Sequence, residues 1–174
     1  MKLTLAALVM LAAVQGQPPV SETWKPFEYF VGSWIGEETA SFGKGKGERS
    51  YRLILQGRYL ISENASRFPP QGNRAAQAHD DWTVFSYDMA RKTYVIRQFN
   101  SEGFVNTLVM DRSSEIPRKM RFVAEHTENA PPGTKAVLEY EIVGEREFVE
   151  RFDVRFPGRD APMEIRNRWR RAVH

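Results

Sequence analysis

From Gly32 onward the chain repeats one pattern: short runs of apolar–polar alternation, rich in β-branched and aromatic residues, interrupted by turn chemistry about every ten residues. No stretch holds a helical period of about 3.6 for more than two turns. The alternation therefore specifies strands, at 33–42, 47–56, 58–67, 81–87, 93–100, 104–110, 119–126, 134–143, 147–155 and 163–172. Their connections are short. Residues 43–47 read as a glycine-rich hairpin, Ser101-Glu102-Gly103 ends in a residue free to take positive φ, and Gly144-Glu145-Arg146 and Pro157-Gly158 are tight breaks. Short links make sequence neighbours antiparallel neighbours, and a ten-strand meander hides its two bare edges most simply by closing. The fold class expected is all-β: a closed antiparallel ten-stranded barrel. Residues 26–31 read as a short N-terminal helical turn with Phe27 and Phe30 on one side, able to plug a barrel end, and 69–78 as a rim loop.

The chain before that pattern is of another kind. Met1-Lys2, an apolar run over 3–14 and the small-residue tail Gln15-Gly16 have the layout of a secretory signal peptide. The expected division is a signal peptide over 1–16 and a barrel domain over 17–174. The run is shorter than the roughly 20 apolar residues of a membrane span. Cysteine is absent, so neither a disulfide framework nor an acylated lipoprotein cysteine is available. These features place the mature protein outside the cytoplasm, periplasmic or secreted. A formal net charge of +3 is too small to mark a nucleic-acid or membrane-surface binder, whereas 12% aromatic residues can line a sizeable interior.

Alternation also assigns inner faces. In the eighth strand Ala136, Leu138, Tyr140 and Ile142 face inward against Lys135, Glu139 and Glu141. The seventh turns Met120, Phe122 and Ala124 inward, and His126 continues that parity. The second offers Tyr51, Leu53 and Leu55; the ninth Phe148, Glu150, Phe152 and Val154. In the fifth, the set Thr93, Val95, Arg97 and Phe99 is read as inner, in preference to Tyr94, Ile96, Gln98 and Asn100. A buried charge requires a partner, so an inward Arg97 either pairs with Glu150 or anchors a ligand headgroup such as a carboxylate. Tyr51, Tyr140, Asn64 and Asn106 would add hydrogen bonds. The candidate ligand-binding set is thus Tyr51, Asn64, Arg97, Phe99, Asn106, Phe122, His126, Tyr140, Glu150 and Phe152.

The segment Phe30-Val31-Gly32-Ser33-Trp34-Ile35-Gly36-Glu37 resembles the Gly-x-Trp signature that opens the first strand of calycins. Residues 55–61, 82–88, 97–106 and 128–133 are similar to segments of an uncharacterised bacterial calycin-like family, related to lipocalin-like, fatty-acid-binding-protein-like and nitrobindin-like barrels. The resemblance implies that Trp34 packs under an arginine of the last strand, for which Arg168, Arg170 and Arg171 are candidates, as a structural closure. It does not carry haem, because nitrobindin-like proteins use a C-terminal histidine inside the barrel and here the only C-terminal histidine is the final residue, His174. Nor does it carry fatty-acid specificity, since Arg166-Asn167-Arg168-Trp169 lacks the tyrosine of the family's Arg-x-Tyr arrangement.

Catalytic chemistry leaves a thin trace. No serine lies in a nucleophile elbow. His79-Asp80-Asp81 is the one compact cluster of histidine and carboxylates, open to a divalent metal, to acid/base work or to loop capping; His126, near Glu125 and Glu128, is a candidate mouth residue. Residues 43–47 lack the Gly-Lys-Ser/Thr ending of a phosphate loop. The functional expectation is an exported, non-catalytic binding protein. Its partner would be a small hydrophobic molecule, with or without a carboxylate, and it would have no cofactor, metal or nucleic-acid partner. The alternatives are a lyase, isomerase or hydrolase using His126, Glu150 or the His79–Asp81 cluster, and a side-chain-filled barrel serving as a protein-interaction module.

Overall fold

A computed structural model describes residues 20–40 and 43–173. The expected signal peptide, the start of the domain and His174 lie outside the described residues. Ten strands follow a short 3-10 turn (Lys25–Phe30): β1 (Gly32–Ala40), β2 (Gly43–Ile54), β3 (Tyr59–Phe68), β4 (Gln77–Asp88), β5 (Thr93–Asn100), β6 (Val105–Met110), β7 (Lys119–Glu128), β8 (Lys135–Gly144), β9 (Glu147–Arg155) and β10 (Met163–Arg171). Each pairs antiparallel with its neighbours in sequence, and β10 returns to pair with β1, closing the barrel. No helix among the described residues is long and apolar enough to cross a membrane.

The N-terminal turn seals one end. Phe27 and Phe30 are buried there with Trp24, and Phe30 meets the rings of Phe148, Tyr51 and Tyr140 at centroid distances of 5.0, 5.6 and 5.7 Å. Each such side chain contributes roughly 1.5–3 kcal/mol by burial, and each aromatic pair about 0.5–1.5 kcal/mol more. Closure is fastened beside it. The Arg171 guanidinium lies 4.3 Å from the Trp34 ring centroid, donates to Val31 O at 2.8 Å and also donates to Tyr29 O. Arg171 is therefore the arginine that covers Trp34. Arg168 and Arg170, three and one residues earlier, have the opposite parity and sit on the outer wall beside Glu147 and Glu37.

Three other expectations are corrected. Arg97 and Phe99 face outward, and the inner residues of β5 are Tyr94, Ile96 and Gln98. The strand misleads because its inner side turns polar at Gln98 while its outer side carries Phe99, directly across from the exposed Trp82. His126 is exposed because a bulge intervenes: Thr107 pairs with His126, but the next residue, Leu108, pairs with Ala124. The extra residue, Glu125, reverses the parity. Leu55 lies beyond β2 in a turn, at φ 48° and 69% exposed.

The glycines of 43–47 also belong to β2 itself, not to a loop. A Cβ on Gly47 would lie 2.0 Å from Glu38 Oε1 and 2.7 Å from Trp169 Cη2, and one on Gly36, its partner in β1, 2.5 Å from Trp169 Cε3. Two adjacent missing side chains thus make room for an inward tryptophan.

Candidate functional site

A few residues along most strands from the aromatic packing, the inward positions become polar. Glu38 on β1, Arg49 on β2, Asn64 and Ser66 on β3, Asp81 on β4, Gln98 on β5, Asn106 on β6, Glu150 on β9 and Asn167 on β10 are all buried. Above this layer stand Phe68, Phe104, Phe152, Phe156, Met163 and Ile165. Between them is a chamber of about 140 Å³.

Arg49 and Glu150 form the centre of the floor. Arg49 Nη1 donates to Glu150 Oε2 at 2.7 Å, its Nε donates to Asn64 Oδ1 at 3.1 Å, and its guanidinium lies 4.2 Å from the Trp169 ring centroid. Glu150 Oε2 also accepts from Trp169 Nε1 at 2.9 Å and Asn167 Nδ2 at 3.3 Å. Burial works against the guanidinium charge, but Glu150, Tyr51 and Asp81 outweigh it and hold Arg49 protonated. Arg49 Nη1 reaches Tyr51 Oη at 3.3 Å, and burial pushes that phenol up to about 12. The bonds continue outward: Asn64 Nδ2 donates to Ser66 Oγ at 2.9 Å, and Ser66 Oγ donates to Glu38 Oε1. Burial pushes the Glu38 carboxyl above its ordinary range, with the Ser66 hydroxyl as a smaller opposing influence.

A second group lies at the chamber's edge. His79 Nδ1 is 2.8 Å from Glu102 Oε1, and its Nε2 is 3.4 Å from Asp81 Oδ2. Desolvation disfavours the imidazolium, but Asp81 and Glu102 outweigh it, lifting His79 to about 9. Asp81, also desolvated, is held below the usual carboxylate range by His79. Asp80 points outward to Arg67. Strand alternation thus splits the His79-Asp80-Asp81 cluster, and no group of three or more His, Cys, Asp or Glu side chains is placed to hold a metal ion among the described residues.

Of the ligand-binding candidates, Asn64, Asn106, Glu150 and Phe152 line the chamber. Tyr51 sits beneath Arg49, while Phe122 and Tyr140 belong to the aromatic packing. Arg97, Phe99 and His126 are outside. The missed residues are Arg49, Glu38, Gln98 and Asn167. Parity held the signal for three of them: Arg49 shares a face with Tyr51, Glu38 with Trp34, and Asn167 with Trp169.

No family model matches the chain, and no curated protein does. The crystal structure of Rv2717c from M. tuberculosis is similar, with a TM-score of 0.66 at 12% sequence identity, over 89% of this chain and 100% of that one. At that identity the likeness is one of fold. A structure of EF1p2_mFAP2b bound to DFHBI is similar at a TM-score of 0.39 and 10% identity, over 84% of this chain and 97% of that one, too loosely to carry an argument. The closed ten-stranded antiparallel barrel and the first of these similarities fit a calycin-like fold.

Proposed function

We propose that the chain is an exported, non-catalytic binding protein that holds one small lipophilic molecule by its polar end. The observation that carries this reading is the chamber itself, with a hydrogen-bonded floor and an apolar wall. A side-chain-filled barrel would have no such space. A dry cavity of about 150 Å³ accommodates benzene, so the enclosed part of the ligand is about one substituted ring in size. Export rests on the leader over 1–16. Haem is not the ligand proposed. The chamber falls below the roughly 300–1,000 Å³ of usual ligand sites, and the histidine on its lining has both ring nitrogens directed at carboxylates.

Native mass spectrometry on protein purified from its own host tests the proposal. A retained organic molecule supports it; a reproducibly empty barrel that also takes up no hydrophobic probe overturns it.

The contact between His79 and Asp81 favours a second reading, a lyase, isomerase or hydrolase acting at the chamber's edge. A histidine held protonated to about pH 9 is a poor general base near neutrality, though it can donate a proton. On this reading His79→Ala abolishes turnover of the retained molecule and leaves its affinity largely intact.

A further inference from the structure

The chamber's charge is lopsided. Glu38, Asp81, Glu102 and Glu150 line it, against Arg49 and His79 as the cations. Both cations are already engaged: Arg49 with Glu150, Asn64 and Tyr51, and His79 with Asp81 and Glu102. An incoming carboxylate would meet unfavourable neighbours with no uncommitted positive group.

A second observation concerns Asn167, which is 7% exposed and lines the same space. Its Nδ2 donates to Glu150, which fixes the amide's orientation, and its Oδ1 has no hydrogen-bond partner among the described residues. Native interiors seldom leave a buried acceptor in that condition. Asn167 lies directly opposite Glu38 across the β1–β10 pair, and Glu38 is 4% exposed, with Ser66 donating to one of its oxygens. An acceptor in need of a donor therefore neighbours a carboxylate, on an acidic lining, beneath an apolar wall.

From these features we infer that the ligand is a compact organic ammonium, whose N–H groups are received by Asn167 Oδ1 and Glu38 and whose apolar body rests against Phe68, Phe152 and Met163. An ammonium brings three donors and no acceptor, the complement of this pair, and hydrogen bonds to an ionised donor are about twice as strong as neutral ones. The inference rests on the binding reading above and narrows its ligand class.

Titration calorimetry of the mature protein with benzylammonium, benzyl alcohol and benzoate separates the two claims. These probes share a ring of suitable size and differ in charge. Benzylammonium should bind about tenfold or more tighter than benzyl alcohol, as charge-assisted hydrogen bonds imply, with benzoate weakest. Glu38→Gln should remove most of that gap, bringing benzylammonium down toward benzyl alcohol. Benzoate binding as well as benzylammonium, or benzyl alcohol matching it in the unaltered protein, overturns the inference and leaves the binding reading standing. The same holds if none of the three binds while native mass spectrometry finds a retained molecule. If no probe binds and the barrel is also empty, the binding reading falls and the inference falls with it.

Discussion

The two ends of the barrel are built from the same strands and differ in almost everything else. Around the N-terminal turn, Phe27, Phe30, Phe148 and Trp34 fill the interior; at the other end Glu38, Arg49, Asp81 and Glu150 are buried beneath open space. A single strand makes the change within a few positions: β9 runs inward through Phe148, Glu150 and Phe152. One end supplies cohesion through area removed from water, while the other gives up part of that stability to a buried polar network under open space. Buried ion pairs are weak sources of stability, yet removing one partner is strongly destabilising.

Four substitutions test this contrast. Glu150→Ala should have the largest effect, because it strands Arg49 and leaves Trp169 Nε1 and Asn167 Nδ2 without an acceptor; a loss of about 3–5 kcal/mol in urea unfolding is expected. A loss under about 1 kcal/mol would mean that the floor is hydrated and not a closed network. Phe27→Ala should cost nearly as much, about 3–5 kcal/mol, but with ligand selectivity unchanged. Altered selectivity would show that the two ends are coupled. Arg171→Ala removes the cover on Trp34 and two bonds to carbonyls, for about 1–3 kcal/mol in the same assay. Arg97→Ala, on the outer wall, should fall within about 0.5 kcal/mol; a loss comparable to that of Glu150→Ala would restore Arg97 to the interior.

The edge of the chamber adds a pH test. His79 titrates near 9 in the folded protein, against about 6.5 when unperturbed. Its contribution to stability is therefore complete below about pH 6.5 and disappears as the pH rises through about 9. His79→Gln should flatten that part of the stability profile. A profile identical to that of the parent protein would remove His79 from the network with Asp81 and Glu102.

Much of this architecture was legible in the sequence. Turn spacing located every strand to within a few residues, and clean alternation in β8 and β9 oriented Tyr140, Phe152 and Glu150 correctly. Legibility failed where a polar residue faces inward or a bulge shifts the register. On β5 the inward residue is Gln98 and the outward one Phe99, so hydrophobicity pointed the wrong way. The bulge at Glu125 turned His126 outward through an irregularity that composition does not encode. Glu150 reads from its strand as a buried charge, but its partner is Arg49 on β2, not Arg97 on β5. Arg49 shares its face with Tyr51, yet accepting an arginine there meant setting the charge of its side chain against the parity of its strand.

The reach of Arg171 back to Tyr29 and Val31 joins the first and last described segments of the barrel. A chain interrupted before β10 would leave β1 and β9 with unpaired margins, open to pairing with other chains. Assembly must accordingly wait for the final strand, and a nascent copy depends on staying apart from its siblings until that strand arrives.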